Sequence, residues 1–338
     1  MTGGGDRSRD TAGVLAVDSG GSGLRVVVGT AARGALAQRA STEPVRTGPR
    51  GIDPDHLLGQ LVPMVRSLAD ETGFTALRTA AIGAAGLGTL GNALRAELPG
   101  ALHRAFGTDT VALAADAVTG YIGALGERPG VVVAAGTGLI AVGMDLSRWR
   151  RADGWGHLLG DSGGGAWIGR AGLQAALRAY DGRPGGSERL MARAEAEFGP
   201  LAGLPGQVYP RPDRPAVLAS FAPQVAACAD EDPMAAEILR AAAGHMADAA
   251  AAVCPGTDDA RVALTGGLFK MGPPLLRPLE AALAERLPHA PLTRAEGDPL
   301  HGALHLATRL ASGTLALPYD ENMLSVTRTP ARAADAQF

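Results

Sequence analysis

The stretch VLAVDSGGSGLRVVVG, residues 14–29, decides how the rest of the chain is read. Valine-rich segments on either side read as strands. Between them stand Asp18, Ser19, Gly20, Gly21, Ser22 and Gly23, where a hairpin needs only two turn residues. Surplus glycines let a backbone approach a ligand closely, and successive N–H groups form a concavity for an anion such as a phosphate. Asp18 adds an oxygen ligand of the kind hard cations prefer, which makes it the candidate metal contact. No Gly-Lys-Ser/Thr follows and the sole lysine is Lys270, so the stretch is not a Walker A loop.

The pattern recurs. Residues 130–145, GVVVAAGTGLIAVGMD, are again strand, glycine turn and strand, with Gly136, Thr137 and Gly138 as a second candidate phosphate clamp. Residues 261–272, RVALTGGLFKMG, form a third strand ending at Gly266 and Gly267. Similar units in both halves predict two related domains. Residues 78–86 and 110–117 read as short buried strands. Helical periodicity runs over 54–72, 165–180, 215–229, 233–252, 274–286 and 300–311, with Asp53 as an N-cap and Pro54 at the first helical position. Strands alternating with helices predict an α/β fold with a more helical second half.

Composition narrows the function classes. A length of 338 residues accommodates two domains. The formal net charge is −3 with no basic block, which argues against a large nucleic-acid footprint. No apolar run reaches the length of a membrane helix, and residues 1–12 are polar with no signal-type core. Cys228 and Cys254 fit neither a metal spacing nor a disulfide framework, so a reducing cytoplasm is expected. The segment from Pro318 to the end has weak periodicity and reads as a loosely attached tail.

Two further features carry chemistry. Asp116, in LAADAVTG, stands where a strand ends and a helix begins. A carboxylate there either caps the helix or accepts a proton from a substrate hydroxyl. The run GWGHLLGDSGGGAWIGR, 154–170, holds Gly154, Trp155, Gly156 and Asp161 among seven glycines. It reads as a substrate loop in which Asp161 bonds hydroxyls, against the alternative of a flexible exposed loop.

These motifs, followed by RAYDGR, VALTGGLF and DPLHGAL in that order, resemble the BadF/BadG/BcrA/BcrD-type ATPase family over residues 14–312, and within it the N-acetylglucosamine kinases. The resemblance implies two ribonuclease-H-like domains of the actin-like ATPase fold with a cleft between them. It places one domain at 13–117, completed by helix 300–312, and the other at 118–299, with tails at 1–12 and 318–338. It implies ATP and Mg²⁺ as cofactors, a small sugar as substrate and a homodimer. Gly20, Gly21, Ser22, Gly136, Thr137 and Gly138 would hold ATP phosphates, and Gly266 and Gly267 the adenosine. Asp116 would be the catalytic base, with Gly154, Trp155, Gly156 and Asp161 contacting the sugar.

The chain departs from the family pattern at three places. Ser162, Gly163 and Gly164 follow Asp161 where the family usually has Glu-Gly-Ser. Leu139 replaces the serine that usually closes the second phosphate turn. The family's sugar-contacting asparagine ahead of the first long helix is absent, and Arg46 or Thr47 falls nearest. The expected activity is therefore phosphoryl transfer to an amino sugar or related polyol. A degenerate sugar-binding protein is the alternative. A dehydratase-activating ATPase is a remoter one, because its iron–sulfur cluster needs cysteine ligands.

Overall fold

The computed structural model describes residues 13–21, 23–48 and 51–329. It divides into two compact units. Among the described residues, the first comprises those up to Arg128, then Leu146–Trp149 and those from Ala295. The second comprises Pro129–Asp145 and Arg150–Arg294.

The first unit opens with strands β1 (Gly13–Gly20), β2 (Gly23–Thr30) and β3 (Gly34–Ser41), followed by the small pair β4 (Thr47–Gly48) and β5 (Gly51–Ile52). Helix α1 (Pro54–Thr72), β6 (Leu77–Ala84), α2 (Leu87–Leu90), α3 (Asn92–Phe106), β7 (Thr110–Ala115) and α4 (Asp116–Leu125) come next. The second unit contributes β8 (Gly130–Ala135), β9 (Leu139–Met144), β10 (Trp149–Asp153), whose first residue belongs to the first unit, and α5 (Gly165–Tyr180). It continues through α6 (Glu188–Phe198), α7 (Leu204–Val208), α8 (Arg214–Ser220), α9 (Ala222–Cys228), α10 (Pro233–Val253), β11 (Arg261–Thr265), α11 (Pro273–Arg286) and β12 (Leu292–Thr293). The chain then returns to the first unit for α12 (Pro299–Ser312) and β13 (Leu324–Arg328).

The first sheet has the order β13-β7-β6-β1-β2-β3 and the second β10-β9-β8-β11-β12. In both, an opening strand pairs antiparallel with its successor and parallel with a later strand on its other side. The repeat seen in the sequence is thus a repeat of sheet topology.

Side-chain alternation along β1 dresses the first sheet on both faces. Leu15 and Val17 join a core with Leu57, Leu61, Val65 and Leu68, the buried stripe of α1. Ala16 and Val27 pack instead against Leu300 and Ala303 of α12. Asp18 shares the parity of Ala16 and lies on that second face. In the second unit, Val131, Val133, Leu139 and Ala141 pack with Ile168, Leu173, Phe221, Leu239 and Met246.

Four expectations are corrected. The β1–β2 ladder runs to the pair Gly20–Gly23, so the turn is only two residues, and Asp18 sits within a strand opposite Arg25. Helix α4 clusters with the first unit, so the division falls after Arg128 rather than Ala117. The span 215–229 is two helices, because Pro223 cannot continue the helix that ends at Ser220. The described part of the segment after Pro318 is anchored: β13 pairs with β7, and the Trp149 indole N–H donates to Pro318 O at 2.9 Å, while residues 330–338 lie outside the described residues.

Candidate active site

The first unit gathers two carboxylates at the carboxyl ends of its parallel strands. Asp18 of β1 aligns with Gly83 of β6, and Gly83 with Ala114 of β7. Two residues past Ala114, Asp116 opens α4. Ala115 is the N-cap and makes no side-chain bond, so Asp116 is the first helical residue rather than the cap. Its Oδ1 accepts the neighbouring Ala117 N–H at 2.9 Å. Its own backbone N–H also bonds the carboxylate. Burial pushes the Asp116 carboxyl above its ordinary value, and the negative charge of Asp18 pushes it the same way.

Asp18 is held by the cross-strand Arg25, whose Nε and Nη2 both donate to Oδ2, at 3.0 and 2.6 Å. Burial raises this carboxyl too, with Arg25 opposing the shift. Among the described residues no three acidic, histidine or cysteine side chains converge as a metal-binding group. Mg²⁺ keeps several waters and leans on one or two carboxylates plus substrate phosphates. Asp18, with Oδ1 left over from the arginine, fits such a role.

The glycines of the first turn carry their own signal. A Cβ on Gly20 or Gly21 would meet nothing within 4 Å, and neither residue has positive φ. The fold therefore does not require glycine there, whereas close approach of a ligand would. Ser22 lies outside the described residues.

In the second unit the turn between β8 and β9 is Gly136–Gly138. Its carbonyls are spent on α5: Gly165 N–H donates to Gly136 O and Ala166 N–H to Thr137 O, each at 2.8 Å. These bonds replace a side-chain cap, which Gly164 cannot supply. Thr137 is exposed at the tip, and its hydroxyl has no partner among the described residues. A Cβ on Gly138 would collide with the Asp161 carboxylate, which ties this turn to the 154–170 loop.

Asp161 is more engaged than the sequence suggests. Its Oδ1 accepts Gly156 N–H at 3.1 Å, and the Leu139 N–H also bonds its carboxylate. Burial raises this carboxyl, and the Gly156 N–H opposes the shift. Asp153, overlooked in the sequence, holds the loop from the other side: its two oxygens accept the N–H groups of Asp161 and Ser162. Asp153 and Asp161 both have positive φ, 61° and 56°, a conformation aspartate tolerates better than most residues. Trp155 is 61% exposed with the Arg151 guanidinium 4.2 Å over its ring, so it is presented rather than packed. Gly266 abuts the same turn, since a Cβ there would strike Ala135 O, while Gly267 faces open space.

The second unit thus brings together Gly136, Gly138, Gly156, Asp161 and Gly266, and the first brings together Asp18 and Asp116. Sequence reading missed Arg25, Asp153 and Asp298. For Asp153 a signal was present: an aspartate at a strand end before Gly154, the composition of a side-chain-bonded turn.

Comparison with known proteins follows the same lines. The family model of the BadF/BadG/BcrA/BcrD ATPase family matches residues 15–307. The chain belongs to that family. An N-acetylmuramic acid/N-acetylglucosamine kinase of Clostridium acetobutylicum is 41% identical over 69 residues, which are 20% of this chain and 22% of that kinase. Among solved structures, a Chromobacterium violaceum protein provisionally named N-acetylglucosamine kinase is 29% identical, with a TM-score of 0.66 over 88% of this chain and 99% of its own. A Porphyromonas gingivalis protein provisionally given the same name is 19% identical, with a TM-score of 0.68 over 88% of this chain and 99% of its own. A ROK-family glucokinase from Streptomyces griseus, solved with glucose and AMPPNP, is 18% identical, with a TM-score of 0.55 over 88% and 98%. The last two establish fold alone. For this BadF-family chain that is the two-unit actin-like ATPase fold expected from the sequence.

Proposed function

We propose that this BadF-family chain is an ATP-dependent kinase that transfers the γ-phosphoryl group to a hydroxyl of an amino sugar or related polyol. Asp116 carries the reading. A mostly buried carboxylate at the carboxyl end of a parallel strand, raised in pKa and bonded only by the backbone N–H groups of the helix start, is equipped to orient a hydroxyl and take its proton. The full-length likeness to a protein provisionally named N-acetylglucosamine kinase supports the substrate class.

Roles follow residue by residue. Gly20, Gly21 and Ser22 of the first turn, and Gly136, Thr137 and Gly138 of the second, hold phosphates through backbone N–H groups and hydroxyls. Gly267, with open space where a side chain would stand, lies beside the adenosine together with Gly266. Gly154, Trp155, Gly156 and Asp161 contact the acceptor. Asp18 would hold Mg²⁺, which would supply positive charge against the negative charge of the phosphates. Burial pushes the Cys254 thiol up to about 11, so with no metal bound it stays protonated at neutral pH.

The test is ADP release from Mg-ATP over a panel of glucosamine, N-acetylglucosamine, carboxylated amino sugars, other hexoses and aminocyclitols, with Asp116→Asn as control. Turnover with at least one amino sugar that the control abolishes is expected. Sugar binding without ADP release from any acceptor would instead make the chain a binding protein.

A further inference from the structure

The motif DPLHGAL, residues 298–304, has no role in the reading above. Its first residue does two things at once. Asp298 Oδ1 accepts the His301 N–H at 2.9 Å and so caps α12. Its Oδ2 accepts Nη1 of Arg25 at 2.5 Å. The same guanidinium gives its other two donors to Asp18 Oδ2. One arginine therefore bridges the helix cap and the strand carboxylate. It occupies Asp18 Oδ2 twice and leaves Oδ1 as the oxygen that can face a ligand.

The motif's glycine extends the connection. A Cβ on Gly302 would run into Thr119 O, and a Cβ on Gly123 would run into Asp298 O. The first turn of α12 thus rests on the bare backbone of α4, the helix that Asp116 opens. We infer that Asp298 is a positioning residue: through Arg25 it sets the orientation of Asp18, and through the cap it seats α12 against the helix carrying Asp116. The inference rests on the kinase reading for what Asp18 is oriented towards.

A residue that served stability alone would behave differently. The Asp298 side chain is 54% exposed, and an ion pair so open to water contributes little to folding. Asp298→Asn keeps the capping oxygen and removes the charge that fixes Arg25. Arg25→Lys keeps the positive charge but loses the planar fork that serves two carboxylates.

The experiment is calorimetric titration of wild type, Asp298→Asn and Arg25→Lys with ADP, with and without Mg²⁺, beside a melting curve for each. Melting of the Asn variant should stay within about 2 °C of wild type, since asparagine caps nearly as well. Its affinity for Mg-ADP should fall about tenfold, the size of one charge-assisted hydrogen bond, with a larger fall for Arg25→Lys. Metal-free ADP should bind all three alike. Equal losses with and without Mg²⁺, or wild-type affinity for Mg-ADP in the Asn variant, would overturn the inference. Wild type that binds Mg-ADP but phosphorylates no acceptor overturns the kinase reading and leaves this comparison standing. Wild type that binds no Mg-ADP overturns both.

Discussion

Asp116 shows how far a single residue could be read in advance. Its place at a strand end, between two glycine turns, marked it as a candidate base or a helix cap. The backbone removes the second option by assigning the cap to Ala115. Burial raises its carboxyl, so the native state favours the protonated acid. That contribution is full below the ordinary value near 4 and is lost as pH climbs through the raised value. Above the ordinary value the buried carboxyl therefore costs stability, and Asp116→Asn should melt higher than wild type at neutral pH, with the gain shrinking as pH falls toward about 4. Its kcat should fall roughly 10²–10⁴-fold. A variant retaining normal turnover, or melting lower at neutral pH, contradicts the assignment. Arg25 and Asp298 could not be read this way. Arg25 gains its meaning only from the cross-strand register, and Asp298 only from a contact with a residue far away in sequence. Composition carries no trace of either.

The elements were legible wherever periodicity and punctuation agreed. Helix α1 begins where Asp53 and Pro54 place it and ends at Thr72 as its periodicity predicts, with Gly73 as the left-handed C-cap. Helix α3 escaped notice because Pro99 and Gly100 stand in its middle and read as a break, although Leu94, Leu98, Leu102 and Phe106 form its buried stripe. Edge strands β3 and β13 were missed because an edge buries only part of each side chain and leaves a weak alternation. The glycines divide by what surrounds them, and substitution should expose the difference. Gly302→Ala forces α12 off α4 and should destabilise by about 1–3 kcal/mol in urea unfolding. Gly20→Ala meets open space and should leave stability within about 0.5 kcal/mol while weakening ATP binding. A Gly20→Ala variant that binds ATP normally would remove the first turn from the phosphate site.

For the molecule as a whole, the repeated hairpin foretold two sheets of the same topology, and both are present. Mg-ATP at millimolar concentration should raise the melting temperature, because a ligand that binds only the folded state stabilises it by mass action. No shift would remove nucleotide from the account. The asparagine that the family resemblance places ahead of the first long helix is absent, and Arg46 falls nearest. Arg46 is exposed, and its guanidinium has no partner among the described residues. A carboxylated amino sugar should therefore outperform N-acetylglucosamine in kcat/KM, and Arg46→Gln should reduce that preference about tenfold. Highest kcat/KM for N-acetylglucosamine refutes this. The path of the chain has its own consequence. The second unit is nearly continuous in sequence, whereas the first lacks α12 and β13 until that unit has been passed. During synthesis the ribosome thus delivers every residue of the second unit while the first waits, with the β7 edge bare. The unit that β1 opens closes only afterwards, and that exposed interval is when a nascent chain most needs shelter from its neighbours.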